Sequence, residues 1–141
     1  MNAHPHSSEI VSVVHNGIIE NSDELKKKLE KEGIKFKSQT DTEVITFLIT
    51  KALESSDPLD SVFLTLEKLK GSFALGILFK NHNNIIIGAR RGSPLAVGYA
   101  KNEKYLGSDS YALKSMTNKI SYLDDGDVSV LNKDQIEFYN Q

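Results

Sequence analysis

The sequence has 141 residues, 39% hydrophobic and 26% charged, with 17 basic and 19 acidic side chains and a net charge of −2. That length suits one domain, by the usual prior of about 100–200 residues, and the charge balance gives no support to a nucleic-acid or anionic-membrane surface. No run approaches the roughly 18 apolar residues of a membrane span, Met1-Asn2-Ala3-His4-Pro5-His6 lacks the basic and apolar regions of a signal peptide, and the absence of cysteine excludes disulfides, thiolate metal sites and a cysteine nucleophile from these residues.

Ile10–Val14 is apolar and β-branched and reads as a buried strand, bounded by Ser8 and by His15-Asn16-Gly17. Asn21 then has the chemistry of an N-cap, with Glu24 at the capping-box position, and Leu25, Leu29 and a closing Gly33 complete an amphipathic helix. Thr40 or Asp41 opens a second helix, with Val44, Phe47, Leu48 and Ala52 on one face. Asp57-Pro58 starts a third, with aspartate at the N-cap and proline at N1. Its apolar stripe runs through Leu59, Val62, Phe63, Leu66 and Leu69, and Gly71 stops it.

After Gly71 the texture changes to short β segments: Ser72–Phe79, Ile85–Ala89, Leu95–Tyr99, Lys104–Gly107, Ile120–Leu123, Val128–Leu131 and Ile136–Tyr139. Tyr111–Met116 adds a turn or two of helix. Turns as short as Asp124-Asp125-Gly126 join antiparallel strands, because parallel crossovers need about a dozen residues. The order predicts an α+β fold, with about three helices packed on a mainly antiparallel sheet.

Four stretches could carry chemistry, each with a structural alternative. His4 and His6 could bind a metal, but no further ligand is evident, and terminal histidines are usually solvated. Asn16-Gly17 reads first as a turn, since Asn-Gly favours positive φ. It could also be a pre-aimed donor pair, the asparagine amide and the glycine N–H converging on one oxygen as an oxyanion hole. Asp41, within Thr40-Asp41-Thr42-Glu43, serves a helix start by capping and dipole complementation, or receives a ligand ammonium. Arg90-Arg91, between Gly88 and Gly92, reads as a strand end with solvated arginines, since no phosphate-loop pattern is present.

Taken together, Asn2-Ala3-His4-Pro5-His6, Val13-Val14-His15-Asn16-Gly17-Ile18-Ile19-Glu20-Asn21 and Thr40-Asp41-Thr42-Glu43-Val44-Ile45 resemble the glutaminase domain of the glucosamine-6-phosphate synthases, that is, the glutamine–fructose-6-phosphate aminotransferases (isomerizing). Leu69-Lys70-Gly71-Ser72-Phe73-Ala74-Leu75, Ala89-Arg90-Arg91-Gly92-Ser93-Pro94-Leu95, Ser108-Asp109 and Leu123-Asp124-Asp125-Gly126-Asp127 agree, in order, across essentially the whole chain. The His-Asn-Gly and Thr-Asp-Thr-Glu motifs are shared more widely among class II glutamine amidotransferases.

The resemblance implies a partial N-terminal-nucleophile hydrolase αββα sandwich, in a cytoplasmic enzyme that takes ammonia from glutamine through an N-terminal cysteine and needs no cofactor. It implies that Asn16 and Gly17 form the oxyanion hole, that Asp41 binds the α-ammonium of glutamine, and that His4 lies near the substrate. It makes residues 1–141 the C-terminal two-thirds of a glutaminase domain, without the nucleophile segment, the first strands, the arginine loop for the glutamine carboxylate, or the sugar-isomerase domain. The chain alone is therefore expected to be inactive, with glutamine binding weak or lost. Exposed sheet edges are expected to favour self-association. Two other readings stand beside this one: a non-catalytic binding or assembly fragment, and a fragment of another class II enzyme such as amidophosphoribosyltransferase.

Overall fold

A computed structural model describes residues 6–7, 10–80, 82, 85–100, 103–107, 119–132 and 135–140. The elements are β1 (His6–Ser7), β2 (Val11–Ile19), α1 (Ser22–Lys31), α2 (Asp41–Ala52), α3 (Pro58–Lys68), β3 (Gly71–Phe79), β4 (Ile85–Arg91), β5 (Ala96–Ala100), β6 (Glu103–Gly107), β7 (Lys119–Tyr122), β8 (Asp127–Leu131) and β9 (Ile136–Asn140). The expected helical turn at Tyr111–Met116 and the Ser108-Asp109 motif lie outside the described residues.

The strands form two antiparallel sheets, one of six strands in the order β1-β2-β3-β4-β8-β9 and one of three in the order β6-β5-β7. Alternation along β3 shows how they stack. Phe73, Leu75, Ile77 and Phe79 point to one face and pack with Leu25, Leu29, Ile45, Ile49, Val62 and Leu66 of the helices. Ala74 points to the other face and joins Leu95, Val97, Leu123 and Leu131 in a second core between the sheets. The described residues thus form three layers, α, β and β, consistent with the partial αββα sandwich.

Gly76 and Gly88 are cross-strand partners on the inter-sheet face. A Cβ on Gly88 would lie 3.0 Å from Leu106 Cδ2, and one on Gly76 would lie 3.6 Å from Leu106 Cδ1. The missing side chains leave a notch that Leu106 of the second sheet fills.

The helix starts follow sequence chemistry in place but not always in bonding. Asp57 caps α3 as expected, accepting from the Asp60 amide at 2.8 Å. Asn21 does precede α1, yet its amide makes no cap bond. It instead donates to Lys68 O at 2.7 Å and accepts from Lys70 N at 2.9 Å, tying α1 to the α3–β3 connection. Arg90 and Arg91 are only partly exposed and bond to backbone carbonyls. Arg91 donates to Leu69 O and Leu66 O at 2.7 and 3.0 Å, satisfying carbonyls at the end of α3. It also lies 4.8 Å from the Phe73 ring centre. Arg90 donates to Ser93 O and Leu123 O. Both residues are half-buried, and these carbonyls satisfy guanidinium donors that water reaches only in part.

Candidate functional site

The site grows from β2. Val11 and Val13 face the helices and are fully buried. His15 shares their side of the strand, and its Nδ1 lies 3.1 Å from Thr42 Oγ1 in the first turn of α2. Asn16 therefore falls on the inter-sheet face, with Val14 and Ile18 on either side, and all three are exposed. The Asn16 amide has no side-chain hydrogen bond among the described residues, so its donors are uncommitted. It lines a cavity of about 310 Å³ shared with Val14, Ala74 and Gly76 from one sheet and Leu95, Leu106 and Gly107 from the other side. Such a setting, mostly apolar with few polar groups, suits recognition of a small polar ligand.

His15-Asn16-Gly17 does not form the expected turn. These residues continue β2, whose pairing with β3 runs from Val11↔Phe79 to Ile19↔Gly71. Gly17 has φ +104° within the strand, and a Cβ there would lie 2.2 Å from Ser72 O. The positive φ implied by Asn-Gly is present, but as a distortion inside a paired strand rather than a chain reversal.

Asp41 is half-buried at the first position of α2. Its Oδ2 accepts the Ile19 amide at 3.1 Å, so the carboxylate reaches across to β2 two residues past Gly17. Thr40, at the N-cap, makes no side-chain cap bond. Asp41 does not line the Asn16 cavity. It borders a smaller cleft of about 240 Å³ with Ser22, Asp23, Lys26, Gln39, Thr40 and Val44. The strand links the two places: Gly17 and Ile19 are about 7 Å apart at roughly 3.3 Å per residue. His4 lies outside the described residues.

Three supporting features escaped the sequence reading. Glu43 is buried and accepts from Lys37 N at 2.8 Å, Ser38 N at 2.7 Å and Ser38 Oγ at 2.8 Å, fixing the loop that leads into Asp41. Thr42 anchors His15. Leu106 and Gly107 close the cavity from a strand remote in sequence. An isolated glycine within the apolar run 72–79 was the available signal for that close approach. Tyr139, on the opposite edge strand of the six-stranded sheet, is held above the usual phenol range mainly by its hydrogen bond to Glu137. Among the described residues no cluster of three metal-binding side chains forms, and no helix is long and apolar enough to cross a membrane.

Two stacked antiparallel sheets under three helices are the architecture of an amidotransferase-type domain. The family profile "Glutamine amidotransferase domain" matches residues 3–115, and the chain belongs to that family. It is similar to the glutamine–fructose-6-phosphate aminotransferase (isomerizing) of Bradyrhizobium diazoefficiens, 49% identical over 99% of this chain and 23% of that protein. It is 51% identical to that of Zymomonas mobilis, with the same coverage. The chain thus spans about a quarter of the length of these curated relatives. Among solved structures, the glutamine phosphoribosylpyrophosphate amidotransferase of B. subtilis superposes with a TM-score of 0.79 at 26% identity, covering 92% of this chain and 29% of that one. A glutamine aminotransferase class-II domain protein from Silicibacter pomeroyi gives 0.75 at 13% identity, over 97% of this chain and 70% of that one, and shows the fold alone.

Proposed function

We propose that these residues are the C-terminal two-thirds of a glutaminase domain, which hydrolyses glutamine to supply ammonia for making glucosamine-6-phosphate from fructose-6-phosphate. The identity of about half the residues to aminotransferases of that name supports the substrate pair. The uncommitted Asn16 amide at the cavity carries the chemical role.

In this reading a thiolate attacks the side-chain carbonyl carbon of glutamine, and the carbonyl oxygen takes up negative charge. The Asn16 amide and the Gly17 N–H stabilise that oxygen, each donor being worth about 2.7–4 kcal/mol in comparable sites. Ammonia leaves, and water frees glutamate from the thioester. Asp41 holds the α-ammonium of glutamine, and its tie to Ile19 supports this role by fixing the carboxylate relative to Gly17. His4 is assigned to the substrate's surroundings. With no cysteine in 141 residues, the nucleophile comes from outside them, as does the sugar-isomerase function. The enzyme is cytoplasmic in this reading.

A purified sample of the chain is expected to release no glutamate from glutamine above the buffer rate. Release that disappears in Asn16→Ala would overturn the assignment of the nucleophile. The second reading, a piece that works by assembly, would use an outer strand such as β9, which ends the order β1-β2-β3-β4-β8-β9. Light scattering that shows a monomer at high concentration would count against self-association through this edge.

A further inference from the structure

A second cleft, of about 380 Å³, lies on the helical face and is lined by Lys28, Lys51, Lys68 and Lys70 above an apolar floor of Leu25, Leu29 and Leu48. Its geometry follows from the Asn21 clamp. Leu69 is extended and buried, so its neighbours Lys68 and Lys70 both turn to the opposite, solvent side. The Asn21 amide holds Lys68 O and Lys70 N, and Glu20 N donates to Lys70 O at 2.7 Å, which fixes this short segment.

The charges are unequally used. Lys51 pairs with Glu32 at 2.5 Å, and Lys28 approaches Glu24 at 3.6 Å. Lys68 and Lys70 make no ion pair among the described residues. Four lysines face two glutamates in a chain of net charge −2, so positive charge is concentrated here against the balance of the molecule. Two uncommitted ammoniums on a fixed segment, beside buried leucines, fit an anion that has an apolar part.

We infer that this cleft binds a small organic dianion, a phosphomonoester or a dicarboxylate, whose charge meets Lys68 and Lys70 and whose apolar part rests on Leu25, Leu29 and Leu48. The site is separate from the Asn16 cavity, and its test does not depend on glutamine.

Titrating the ¹⁵N-labelled chain with phenyl phosphate, isophthalate and phenol tests this. Saturable amide shifts at Asn21, Leu25, Leu48 and Lys68–Lys70 are expected with one or both dianions, and which dianion binds identifies the anion type. The Lys68→Gln/Lys70→Gln pair should weaken binding roughly fivefold, from the range for exposed ion pairs, and added salt should weaken it further. The Lys68→Arg/Lys70→Arg pair should retain binding, and so should Asn16→Ala. Absence of saturable shifts with both dianions, equal binding of phenol, or unchanged affinity in Lys68→Gln/Lys70→Gln would overturn the inference.

Discussion

The Asp41 carboxylate accepts the Ile19 amide at 3.1 Å, which latches the first turn of α2 to the strand that carries Asn16 and Gly17. Ile19 is almost fully buried, so its amide has little access to water if that acceptor is lost. Asp41→Ala should cost about 1–3 kcal/mol. Asp41→Asn keeps an acceptor oxygen and should cost less. Urea unfolding of the two variants measures the difference.

Gly17→Ala should destabilise by at least about 2 kcal/mol, combining a φ that alanine resists with the collision against Ser72 O. A thermal scan should show the midpoint falling by roughly 6 °C or more for a chain of this size. A midpoint within error of wild type would mean that β2 is not distorted at Gly17.

Leu106→Ala empties the notch above Gly76 and Gly88 and should cost about 2 kcal/mol, the low end for such truncations because the side chain is only partly buried. Gly88→Ala fills the notch from the other side, with contacts of 2.9–3.0 Å to Ser129 Oγ, Leu106 and Leu95. Both should lower the urea midpoint, and the double variant should fall short of additivity because both act on one space.

Arg91→Lys should not restore the wild-type midpoint. A guanidinium serves two carbonyls of the α3 terminus and stacks near Phe73, whereas an ammonium cannot span the same fork. A loss of about 1.5–3 kcal/mol is expected for removing these charged hydrogen bonds.

Periodicity and punctuation made most of the fold legible. The stripes ending in Leu29, Ala52 and Leu69 place the three helices, and the short apolar runs after Gly71 place the strands within a residue or two. β1 was not foreseen, since two residues carry no period. Asn16-Gly17 misled as a turn because the local signal reports φ but not pairing; the register with β3 is a long-range property. Asn21, Arg90 and Arg91 misled for a related reason: their partners are 22 to 49 residues away, or, for Ser93, only three. Of the candidate site, Asn16, Gly17 and Asp41 were visible through motif resemblance. The cavity walls at Leu106 and Gly107 were not, because sheet stacking brings them there.

Amide chemical shifts during a glutamine titration of the ¹⁵N-labelled chain test the central claim most directly, with Asp41→Asn as the comparison. Weak binding that persists through Asp41 should give small, saturable shifts at Asn16, Gly17 and Ile19 in wild type, lost in Asp41→Asn while the folded spectrum is kept. Equal glutamine binding in both proteins, or shifts confined to residues away from β2 and the start of α2, would contradict it.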